Sequence, residues 1–78
     1  LKERKMSESL RDLRKASEKT LAEVANVLNV SEAAVCQYEK GSRQISIQQV
    51  LPLARFYGVS AEDIITAQLI SIAVRKSE

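Results

Sequence analysis

The sequence predicts a small all-α domain, and three observations carry that expectation. Two Gly and one Pro among 78 residues leave little punctuation for β-hairpins. Helix starts recur between residues 20 and 60, at Thr20, Ser31, Ser46 and Ser60. Between those starts, apolar residues return every three or four positions, the spacing of helices that bury one face.

A first helix is expected inside residues 7–17, with Leu10, Leu13 and Ala16 inward and Arg11, Asp12 and Lys15 outward. Thr20-Leu21-Ala22-Glu23 then reads as a capping box, in which hydroxyl and carboxylate satisfy each other's backbone amides. It opens a second helix with Val24, Ala25 and Leu28 as its inner stripe. Asn29 stops that helix, because Asn tolerates the left-handed conformation of a tight turn. A third helix follows Ser31, buries Val35 and Tyr38, and closes on Gly41.

Ser46-Ile47-Gln48-Gln49 is a second capping box, and Ile47, Val50, Leu53, Ala54 and Tyr57 form the expected inner face of a fourth helix stopped by Gly58. Pro52 lies inside it and removes the bond to the Gln48 carbonyl. That costs about 3 kcal/mol unless the helix kinks or begins near Gln49. The last segment opens Ser60-Ala61-Glu62-Asp63 with carboxylates in a first turn. Its apolar residues exceed what a closing helix needs. Ile65, Leu69 and Ile72 keep helical spacing while Ile70, Ile72 and Val74 alternate like a strand, so residues 69–74 read as either.

A single domain of this size holds one small core. With no His, one Cys and two Gly, the chain lacks the materials for imidazole catalysis, His-ligated zinc, a disulfide framework or a glycine-rich phosphate cradle. No enzyme, cofactor or metal is expected. No apolar run approaches the roughly 18 residues of a membrane span, and the charged opening Leu1-Lys2-Glu3-Arg4-Lys5 is not followed by a signal-peptide core. The expectation is a cytoplasmic protein with no membrane contact. Net charge is +2, with nine cations against seven anions in residues 1–45 and three of each in residues 46–78. The basic excess is mild and N-terminal. Leu1 in place of Met points to a trimmed or extended start, with Met6 as a candidate native one, so residues 1–6 are read as a flexible arm.

Two short helices joined by a tight turn, from Thr20 to Lys40, form the unit that fits a DNA major groove. The second presents small and polar residues beyond buried Val35 and Tyr38. On these residues, together with Ala25, Val30-Ser31, Glu39-x-Gly41, Leu53-Ala54 and Gly58-Val59-Ser60, the chain resembles the phage repressor and Cro family, also called the XRE family. The resemblance spans about residues 7–66. It implies a five-helix λ-repressor-like DNA-binding domain over residues 7–67, and the surplus apolar residues beyond it make residues 68–78 a C-terminal extension expected to dimerise.

Carried over position by position, the resemblance implies base contacts from Ser31, Glu32, Ala33, Cys36 and Gln37. Thr20, Lys40, Ser42 and Arg43 fall beside phosphates, and Arg14 and Glu39 match a structural ion pair between the first and third helices. The chemistry agrees: Gln37 suits adenine, Glu32 a cytosine amino group and Ala33 a thymine methyl, each good bidentate pair being worth about 1–3 kcal/mol of discrimination. Departures from the pattern are Leu21 where Gln often holds a phosphate, Val27 where relatives are polar, Asn29 for Gly, and Ile45 for Pro. Leu21 would pass its contact to Thr20 or backbone amides, and Ile45 would leave its loop less constrained.

The expected function is a sequence-specific transcriptional regulator that pairs through Ile65, Leu69, Ile70, Ile72 and Val74. Two-fold pairing implies a pseudo-palindromic double-stranded operator with half-sites about 34 Å apart. In size the chain resembles small controller proteins of restriction-modification systems and prophage regulators. The alternative, motivated by the weak basicity, by Glu32 in a first turn and by the apolar Leu21 and Val27, is a protein-interaction module of the same fold with weak or no DNA reading.

Overall fold

Local hydrogen bonds at the helix starts satisfy amides that a helix cannot satisfy internally. The computed structural model describes residues 8–76; among them every regular element is an α-helix: α1 Leu10–Ala16, α2 Leu21–Leu28, α3 Glu32–Lys40, α4 Ile47–Tyr57 and α5 Ala61–Lys76. Thr20 N–H donates to Glu23 Oε1 at 2.8 Å while Glu23 N–H donates to Thr20 Oγ1 at 3.1 Å. Ser60 and Asp63 exchange the same pair of bonds before α5. Ser46 N–H donates to Gln49 Oε1 at 2.9 Å, and Ser31 Oγ accepts from Ala34 N–H at 3.1 Å. A further box, Ser9 with Asp12, starts α1 at Leu10, inside the expected residues 7–17. Helices α2, α3 and α4 end on left-handed residues, Asn29 at φ 57°, Gly41 at 77° and Gly58 at 70°.

The helices wrap one core. Leu10 and Leu13 of α1, Val24, Ala25 and Leu28 of α2, and Ala34, Val35 and Tyr38 of α3 meet Leu53, Ala54 and Tyr57 of α4 and Ile64 and Ala67 of α5. Ile64 is wholly inaccessible to solvent. Burial of the Tyr57 hydroxyl among these side chains pushes its pKa well above the ordinary tyrosine value. Leu21 and Val27 are half-buried and pack against this core, so their apolar character is used inside the domain.

Three expectations are corrected and one open reading, that of residues 69–74, is resolved. Ala16 is exposed, because α1 ends there and its last turn extends past the core. Ile47 is 88% exposed, since it occupies the outer edge of the first turn of α4; Ile45, just ahead of the helix, is buried in its place. Ile45 N–H also donates to the side-chain oxygen of Gln68, an anchor that Pro could not form, so this loop is tied to α5 rather than left loose. Residues 69–74 are helical, and α5 runs unbroken past residue 67.

Helix α4 begins at Ile47 and carries Pro52 within it. Gln48 and Pro52 are both exposed, so the carbonyl to which Pro52 cannot donate lies on the outer side of α4, where solvent can reach it. Residue 7, the expected arm of residues 1–6, and residues 77–78 lie outside the described residues.

Candidate nucleic-acid interface

The turn between α2 and α3 is built by the chain itself. Asn29 reverses the backbone, Val30 N–H returns to the Ala25 carbonyl at 3.0 Å, and Ser31 caps the next helix. Burial of Ala34, Val35 and Tyr38 against the core fixes the rotation of α3. The opposite arc therefore presents Glu32, Ala33, Gln37 and Lys40 as exposed residues, with Cys36 half-buried among them. Five residues of the predicted reading and phosphate sets thus share one helix face. Ser31 is exposed, but its hydroxyl already serves Ala34 N–H.

Beside that face, the loop after Gly41 is ordered by its own contacts. Ser42 Oγ donates to the Gln37 carbonyl at 3.2 Å. The Arg43 guanidinium lies 5.6 Å from the centre of the Tyr38 ring, a cation–π contact, and Gln49 Nε2 donates to the Tyr38 hydroxyl at 3.3 Å. Thr20, Ser42 and Arg43 are all exposed. Thr20, however, accepts from Glu23 N–H at its hydroxyl oxygen and donates its own N–H to the Glu23 carboxylate, and that backbone bond, with the Thr20 hydroxyl nearby, pulls the Glu23 carboxyl below its ordinary range.

Arg14 and Glu39 form a two-pronged ion pair that joins α1 to the end of α3. Arg14 Nε donates to Glu39 Oε2 at 2.6 Å and Nη2 donates to Oε1 at 3.2 Å, with only 14% and 9% of the two side chains exposed. Arg14 Nη1 also donates to the Lys19 carbonyl at 3.2 Å, tying in the approach to α2. The bond to Glu39 raises the Arg14 pKa above its ordinary value against the opposing effect of burial.

Two features had no signal in the sequence. A Cβ added to Gly41 would lie 2.5 Å from the Ser71 carbonyl oxygen and 2.8 Å from Ile72 Cα, so α3 ends against the backbone of α5. Ser71, 3% exposed, accepts from Leu10 N–H at 3.2 Å and donates to the Ala67 carbonyl at 3.0 Å, fastening α5 to the start of α1.

The expected pairing residues are divided by the course of α5. Ile65, Leu69 and Ile72 recur at i, i+4 and i+7 along one face, Ile65 and Leu69 exposed and Ile72 half-buried. Ile70 and Val74 turn instead to an open groove between α1, α3 and α5 that Leu21, Cys36 and Lys40 also line.

Residues 6–64 match the model of the helix-turn-helix domain family. The chain is 35% identical over 60 residues to the cryptic phage CTXphi transcriptional repressor RstR of Vibrio cholerae, a match covering 77% of this chain and 54% of that protein. The chain thus spans about half the length of the curated relative it matches. No solved structure matches it at comparable significance.

Proposed function

The chain belongs to the helix-turn-helix domain family, and from that membership and the face of α3 we propose that it is a DNA-binding transcriptional regulator of the phage-repressor type. The observation that carries the reading is the arc of Glu32, Ala33, Cys36, Gln37 and Lys40, outward from a helix whose rotation is fixed by Val35 and Tyr38 inside and by Glu39 at its end. An α-helix fits the DNA major groove, and this one carries groups that meet base edges. Gln37 pairs with adenine, Glu32 accepts from a cytosine amino group, and Ala33 and Cys36 offer small contacts near Ser31. Thr20, Lys40, Ser42 and Arg43 hold phosphates, Thr20 through what its cap leaves free.

A single helix of this length contacts too few bases for useful specificity, so the working unit is a homodimer on a pseudo-palindromic operator. Its interface is the α5 face of Ile65, Leu69 and Ile72, as an antiparallel helix pair. The similarity to a phage repressor supports repression as the sense of regulation. No helix among the described residues is long and apolar enough to cross a membrane, and a cytoplasmic location on DNA accords with that.

Two measurements test the proposal. Sedimentation equilibrium at micromolar concentration gives a dimer, and Leu69→Asp gives a monomer; a wild-type monomer contradicts the pairing. A mixed-sequence duplex binds with an affinity that falls steeply with salt. Binding that ignores salt, or none, contradicts DNA recognition and favours a protein partner.

A further inference from the structure

The groove beside α3 carries more positive charge than its acidic groups can use. Arg11 of α1, Lys40 of α3 and Arg75 of α5 line it, all three exposed. Its two carboxylates are committed elsewhere: Asp12 accepts from Ser9 N–H, and Glu39 is held by Arg14. Among the described residues, Arg11, Lys40 and Arg75 have no carboxylate partner. Leu21, Ile70 and half-buried Cys36 give the groove an apolar side against which long cationic stems can rest while their heads stay in water.

The groove's position decides what those cations meet. An α-helix about 10–12 Å across nearly fills a major groove about 12 Å wide, so whatever flanks the inserted helix faces a sugar-phosphate wall. One flank of α3 is the loop that holds Arg43 against Tyr38. The other is this groove, which Arg43 does not line, and Leu21 there offers no polar side chain. Arg11 and Arg75 come from helices distant in sequence and are brought together by the packing of α1 on α5 that Ser71 fastens.

We infer that Arg11 and Arg75 form a second phosphate clamp, gripping the DNA backbone across α3 from Arg43, with Lys40 of the α3 face lining the same groove. A guanidinium binds phosphate with two parallel N–H groups, which suits it to hold register as well as charge. This inference rests on the DNA-binding reading above and extends the contact to the C-terminal half of α5.

The test measures the salt dependence of binding to a mixed-sequence duplex of about 30 base pairs between about 50 and 200 mM KCl. Two lost phosphate contacts lower the slope of log affinity against log salt by about 1.8, so Arg11→Ala/Arg75→Ala loses about twelvefold less affinity over that range than wild type. Arg11→Lys/Arg75→Lys keeps most of the slope, and Arg55→Ala, which removes a charge from α4 outside the groove, leaves it unchanged. An unaltered slope in the double alanine variant overturns the clamp and leaves DNA binding through α3 intact. An equal effect per charge from Arg55→Ala overturns it as a matter of net charge alone. Absence of salt-sensitive binding by the wild-type chain overturns both the clamp and the reading beneath it.

Discussion

Arg14 of α1 grips Glu39 at the end of α3 through two hydrogen bonds, the shorter 2.6 Å, with both side chains largely withdrawn from solvent. The pair fixes the far end of the helix whose exposed arc is proposed to read DNA. Removing one partner leaves the other charge partly buried and unmatched. Arg14→Ala or Glu39→Ala alone is expected to cost about 2–3 kcal/mol, below the 3–5 kcal/mol of fully buried pairs because some solvent reaches this one. Replacing both costs less than the sum of the two. A double-mutant cycle in urea showing coupling under about 0.5 kcal/mol would retire the pair as an organising contact.

Gly41 and Gly58 separate two reasons for glycine. Both have positive φ, at 77° and 70°, but a Cβ at Gly41 meets the α5 backbone while one at Gly58 meets nothing within 4 Å. Gly58→Ala therefore costs only the left-handed backbone penalty, about 1 kcal/mol. Gly41→Ala must also push α3 away from α5 and is expected to cost about 3 kcal/mol or more. Equal losses in thermal or urea unfolding would contradict the close approach at Ser71.

Glu18 is a non-glycine residue at φ 56°, exposed in the turn between α1 and α2. Its side chain makes no hydrogen bond or ion pair among the described residues that would offset the strain. Glu18→Gly is expected to raise stability by about 0.5–1 kcal/mol, the relief of a left-handed side chain less the added freedom of the unfolded chain. Asn29, at φ 57°, tolerates the same conformation better and should gain less from the same change.

The α2 capping box predicts an acid-sensitive step. Thr20 holds the Glu23 carboxyl below its ordinary value of 4.5, so the folded state favours the ionised form. The contribution is present above that value and is lost as pH falls through the lowered folded one. Glu23→Gln, which still accepts from Thr20 N–H but does not titrate, should flatten this part of the acid limb of stability against pH. An identical acid limb in wild type and variant would remove the Glu23 carboxylate as its source.

Local chemistry in this chain was readable because it is written in adjacent residues. Thr20 with Glu23, Ser46 with Gln49, Asn29, Gly41 and Gly58 each mark a boundary through contacts within three or four positions. Residues 69–74 were ambiguous because Ser71, a polar residue between Ile70 and Ile72, makes a helix look like strand alternation. Its hydroxyl is inside, satisfying Leu10 N–H from a segment 61 residues away. The exchange of Ile47 for Ile45 in the core has the same origin, since the bond from Ile45 to Gln68 is a tertiary contact that helical periodicity cannot register. The buried side of α3 was legible from Val35 and Tyr38, and the family resemblance supplied the residues of its exposed arc. The groove of Arg11 and Arg75 was not, because only the packing of α1 on α5 brings them to one place.

Whether α3 reads base sequence is decided by selection from a random duplex library at about 150 mM salt, which assumes no operator and keeps weak backbone binding in check. Base reading by a paired α3 gives enrichment of a two-fold symmetric motif, with Gln37→Ala relaxing one position in each half-site. No enriched motif, with only salt-sensitive background binding, would contradict base reading by α3.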